Sequence, residues 1–162
     1  MLRVLLAVLH LLALGIGLGA VWARARAFGE RPLDSGAVRR ALAADAWWGI
    51  AALLWIVTGL WRMLAGSEKA TSYYLHNDVF RAKMGFLVLI LALEVWPMVT
   101  LIRWRAVAGR VSSGWQPDAR SAARIRGISY VEALLVIAMV VAAAAMARGY
   151  GAGTHPNTTP TP

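Results

Sequence analysis

The sequence predicts an all-α membrane protein, a four-transmembrane-helix bundle with both termini on the periplasmic side. Three observations carry that expectation. Apolar residues make up 59% of the 162-residue chain, against roughly 45–50% in an ordinary soluble domain, and mean hydropathy is +0.58. Four separate stretches reach the roughly 20 apolar residues that a helix needs to cross a hydrocarbon core of ~30 Å. The arginines lie between those stretches and not on one soluble face, which favours a membrane topology signal over nucleic-acid binding.

Leu2 to Val21 is the first span. It starts like a secretion signal, but Arg24 and Arg26 follow at once, and positive charge after the run predicts an uncleaved helix. Ala41 to Leu64 is the second span, Val79 to Trp104 the third, and Ile128 to Met146 the fourth. Helix is the expected state of each, because an open strand in lipid leaves its backbone groups without partners. Trp22, Trp47, Trp61 and Trp104 lie near span ends, where amphipathic rings anchor at the membrane interface. Residues 1–149 form the expected membrane domain. The Gly-, Thr- and Pro-rich residues 150–162 have little to bury and are expected to be disordered. The stretch from Ala106 to Ala123 is expected to lie on the membrane surface as a short interfacial helix.

Orientation follows from charge. The connections after spans one and three hold eleven arginines: Arg24, Arg26, Arg31, Arg39, Arg40, Arg103, Arg105, Arg110, Arg120, Arg124 and Arg126. The opposite side holds six basic residues. The positive-inside rule then places the Arg-rich connections in the cytoplasm. The chain has no cysteine, which excludes disulfides, thiolate metal sites and cysteine nucleophiles.

Ionisable side chains within spans cost about 2.5–3.5 kcal/mol each at the centre and usually face the bundle interior. Here they form two layers. His10 and Lys83 lie in the outer half. Asp45, Glu94 and Glu132 lie in the inner half, where Arg39, Arg40, Arg103 and Arg126 are the nearest expected partners. Lys83 and Glu94 are eleven residues apart, close to three full turns, so they share one face of span three. Pro97 lies just beyond and can bend that helix. Asp45, Trp48, Ala52, Trp55, Gly59 and Arg62 form a matching stripe on span two. Gly15 and Gly19 have the spacing that lets membrane helices approach closely. Asn77 or Asp78 is placed to cap span three.

The stretches "DAWWGIAALLWIVTGLWRM" and "YYLHNDVFRAKMGFLVLILALEVWPMVTLIRW" resemble small bacterial integral membrane proteins of domain-of-unknown-function family 2214. Tyr73, Tyr74, Leu75, Asn77, Phe80 and Lys83 carry the likeness. It implies a four-helix protein of the bacterial inner membrane and no defined activity. The early His of span one and early Lys of span three are also similar to the membrane protoporphyrinogen oxidase and copper-resistance D-like proteins. This chain has Arg81 where the oxidase carries a His two residues before the Lys.

That second resemblance implies a haem or porphyrin role for His10 and Lys83. His10 is then the axial ligand to the iron of haem b, Met84 or His76 the second ligand, and Lys83 the partner of a propionate. Copper held by His10 with Met63 and Met84 is a related expectation. Two other classes compete with haem binding. One is a structural or accessory subunit without catalysis, working with a membrane-complex partner. The other is transport of a small solute, ion or proton along Lys83, His10, Glu94 and the lower acids, which requires a homo-oligomer because four helices enclose little space. No catalytic triad, phosphate loop or zinc motif is visible in the sequence. The lipid bilayer is the one partner that every reading shares.

Overall fold

A computed structural model describes residues 1–64, 77–108 and 115–150. Within them the chain forms four helices and no strand: α1 (Leu2–Ala27), α2 (Ser35–Leu64), α3 (Asp78–Ala108) and α4 (Ala119–Ala147). The shortest has 26 residues and the longest 31, about 39–46 Å at 1.5 Å per residue. All four are long and apolar enough to cross a membrane.

Capping side chains start three of them. The Asp34 carboxylate accepts the Ala37 N–H at 2.6 Å ahead of α2. Asn77 Oδ1 accepts the Phe80 N–H at 3.0 Å at the start of α3, so Asn77 and not Asp78 is the cap. Asp118 accepts the Ser121 N–H at 2.7 Å at the start of α4. Hydrogen bonds from the Ser121 side chain and then from its backbone N–H hold the exposed Asp118 carboxyl below its ordinary range. Each cap meets an N–H group that the helix itself leaves without a partner.

The helices outrun the apolar stretches. α1 continues through Ala23, Arg24, Ala25 and Arg26, all good helix formers. α3 runs on to Ala108 and α4 begins at Ala119. Residues 106–108 and 119–123 of the expected interfacial helix therefore belong to the two long helices. Residues 109–114 of that stretch lie outside the described ones, as does nearly all of the tail expected to be disordered.

Close packing joins α1 to α2, α1 to α4 and α3 to α4, and the α2–α3 pair is not closely packed. α1 approaches α2 through Gly17, where a Cβ atom would stand 3.2 Å from the Trp48 ring and 3.4 Å from the Ala51 methyl group. Leu5, Leu12, Leu53, Val88, Leu134 and Val141 point outward, as a lipid-facing surface requires.

Inside, the apolar residues fall into two layers. One contains Val21, Trp48, Ile90, Ala133, Val136 and Met139, with Leu14, Leu18, Phe86 and Leu87 packed on it. The other contains Phe28, Ala41, Leu101, Ala122 and Ile125, flanked by Trp96 and Trp104. The register of the four helices places Arg24, Glu94 and Glu132 between the layers, and His10 and Lys83 on the far side of the first.

Candidate functional site

At the inner polar level, Arg24 of α1 is fully buried and all five of its N–H donors are used. Nε donates to Ser129 Oγ at 2.9 Å. Nη1 donates to Asp45 Oδ1 at 2.6 Å and to Glu94 Oε1 at 2.8 Å. Nη2 donates to Glu94 Oε2 at 2.8 Å and to Glu132 Oε2 at 2.6 Å. A guanidinium has five donors in a fixed plane, and here the other three helices supply an acceptor for each. Ser129 hands its own proton to the Ile125 carbonyl at 2.9 Å, so it receives from Arg24.

Asp45 has a second cation. Arg105, on α3, donates to Asp45 Oδ2 at 2.7 Å and to the Leu42 carbonyl at 2.9 Å. This contact ties α3 to α2 where their packing is otherwise sparse.

Asp45, Glu94 and Glu132, expected as a buried polar layer, therefore surround one guanidinium. Their partners are not those expected. Arg40 pairs with Glu30 at the exposed surface, and Arg24 and Arg105 take the role foreseen for Arg39, Arg40, Arg103 and Arg126. Arg24 escaped notice because the apolar run stops at Val21, which assigns everything beyond it to a loop. Register could have found it. Gly17, Val21 and Arg24 recur at helical spacing, so if the helix continues, Arg24 inherits the buried face.

The outer level is a cavity of about 170 Å³ to which all four helices contribute. His10, Lys83 and Met84, expected as ligand-binding residues, all line it, together with Trp55, Gly59, Arg62, Met139 and Met146. His76 and the Tyr73–Tyr74 pair lie outside the described residues. Arg62, Met139 and Met146 were not among the expected ligand-binding residues. Their distance in sequence from Lys83 gave no sign that they meet it.

His10 is held on two sides. Its ring stacks on Trp55 with centroids 5.6 Å apart, and its Cε1 lies 3.1 Å from where a Gly59 Cβ would be. Its Nδ1 is 2.9 Å from Thr58 Oγ1. Thr58 has one hydroxyl proton, directed at the Leu54 carbonyl at 2.7 Å with the Trp55 carbonyl at 3.1 Å. With that proton on the Leu54 carbonyl, Thr58 accepts from His10 Nδ1, the tautomer in which Nε2 carries the ring lone pair. A metal-binding imidazole held by a neighbouring oxygen has this arrangement.

The apolar layer containing Trp48, Ile90, Val136 and Met139 separates the cavity from the Arg24 cluster. Among the described residues, no group of three or more His, Cys, Asp or Glu side chains gathers as a metal site.

The fold and these two polar levels define a membrane protein of four apolar spans with a charged node and a separate cavity. A family model described as "Predicted membrane protein (DUF2214)" matches residues 2–151, and the chain belongs to that family. No curated protein and no solved structure matches it.

Proposed function

We propose that this protein is a ligand-binding protein of the bacterial inner membrane, and that the cavity beside His10 takes haem b or a related metalloporphyrin. The observation that carries the reading is the 2.9 Å contact of His10 Nδ1 with Thr58 Oγ1 in the cavity wall, which orients the imidazole in the way a supporting oxygen orients a metal-binding ring. Met84 lines the same cavity and offers a thioether as a second soft ligand. Lys83 and Arg62 bring two cations to an otherwise apolar lining, which suits a flat apolar ligand with carboxylates at its edge. The same two cations disfavour a bare copper ion, despite the three methionines.

Size sets a condition. The cavity measures about 170 Å³, close to the roughly 150 Å³ that accommodates one benzene ring. A tetrapyrrole is larger, so holding one would require the lining helices to part, and the α2–α3 pair, which is not closely packed, offers the least resistance to that. The positive-inside count supports a position of this end of the bundle at the periplasmic leaflet.

Haem titrated into the detergent-purified protein should give a Soret band that His10→Ala shifts or abolishes. A band that His10→Ala leaves unchanged removes the assignment. Thr58→Val keeps the imidazole but deletes its acceptor. It should weaken haem binding by about 10–100-fold, the usual effect of losing a ligand's supporting hydrogen bond. Equal affinity in wild type and Thr58→Val would show that the tautomer is irrelevant to binding.

A further inference from the structure

The Arg24 cluster is one positive charge short. Fully ionised, Asp45, Glu94 and Glu132 carry three negative charges against two positive charges on Arg24 and Arg105. The cluster lies between two apolar layers, where an uncompensated charge is costly. A second observation identifies which atom holds the excess. Glu132 is 0% exposed, its Oε2 accepts from Arg24, and its Oε1 is buried with no hydrogen-bond partner among the described residues. Glu94 and Glu132 both accept from the same Arg24 Nη2, which brings their carboxyl groups together.

We propose that Glu132 carries an exchangeable proton on Oε1, hydrogen-bonded to Glu94, and that the cluster is a one-proton store inside the membrane. One proton satisfies both observations at once. It gives Oε1 a donor role in place of an unmet acceptor, and it brings the charge sum to zero. Glu132 Oε2, as the remaining carbonyl oxygen, still accepts from Arg24.

The groups that face Glu132 come from every helix: Arg24 from α1, Asp45 from α2, Glu94 with Arg105 beyond it from α3, and Ser129 from α4 itself. Glu94 is 19% exposed and Asp45 10%, against 0% for Glu132. The proton therefore exchanges by way of Glu94, the least buried of the three acids. The apolar layer beyond the cluster closes the direction toward the cavity.

Infrared difference spectroscopy of the reconstituted protein at neutral pH, in heavy and light water, reads this directly. The expected result is a C=O band of a neutral carboxylic acid that shifts on deuteration and is absent from Glu132→Gln. The band should also vanish in Glu94→Gln, because two carboxylates then balance two guanidinium groups without a proton. Thermal unfolding supplies the second measurement. Gln offers an N–H where the protonated acid has O–H, so Glu132→Gln should fold with an unchanged Tm. If Glu132 is an ionised partner of Arg24 instead, Glu132→Gln deletes one of the three charges that hold Arg24, and Tm or folding changes. A missing band in wild type, a band that persists in Glu132→Gln, or a Glu132→Gln variant that does not fold would each overturn the proposal.

Discussion

Arg24→Gln should destabilise the bundle more than any other single change described here, by at least the ~3–5 kcal/mol typical of breaking a buried ion pair. The substitution removes the charge that faces Asp45, Glu94 and Glu132 and leaves at most two of five donors. Asp45 keeps Arg105, but Glu94 loses both of its hydrogen bonds to the guanidinium. Arg24→Lys restores the charge without the planar fork, so it should recover only part of the loss. Thermal unfolding in detergent, followed by circular dichroism and gel filtration, gives the comparison. An Arg24→Gln protein that stays monodisperse and unfolds within about 1 kcal/mol of wild type would show that the cluster does not hold the helices together.

Gly17→Leu should give the second largest effect, and its cause is steric. A Cβ at position 17 meets the Trp48 ring at 3.2 Å and the Ala51 methyl at 3.4 Å. Trp48 is buried between α1 and α2, so it has little room to withdraw. The added branched side chain must push the two helices apart, at a cost of about 1–3 kcal/mol for overpacking. Gly15 and Gly19 provide the control within the same helix. Neither would have any neighbour within 4 Å of an added Cβ, so Gly15→Leu should be neutral or slightly stabilising, in line with the low helix propensity of glycine. Equal stability of Gly17→Leu and Gly15→Leu in the same unfolding assay would contradict the packing of α1 on α2 described above.

These glycines show where the sequence was readable and where it was not. Four helices follow from run length alone, because lipid leaves a chain few other ways to satisfy its backbone. The Gly15–Gly19 spacing was equally visible, yet the close approach uses Gly17, on the other side of α1. Spacing shows that a face is smooth, but the larger residue opposite it comes from another helix. Arg24 shows the same limit. Hydropathy marks where the chain leaves the hydrocarbon, whereas the helix ends where its capping and propensity say it ends, six residues after Val21. The acids Asp45, Glu94 and Glu132 stood out because charge is rare in such segments. Their common partner did not, because it lay just past an assumed boundary. In the outer cavity, His10 and Lys83 were singled out individually, but Arg62 and Met146 reach it only through the tertiary arrangement.

The distribution of Arg24's acceptors over the other three helices has a consequence for biosynthesis. Translation produces the guanidinium first and Ser129 with Glu132 last, more than 100 residues later. Until then the first segment enters the bilayer with a cationic group whose shell is incomplete. A nascent chain halted before α4 should therefore be recognised as immature and degraded, and pulse-chase decay of a product ending near residue 114 would measure that surveillance.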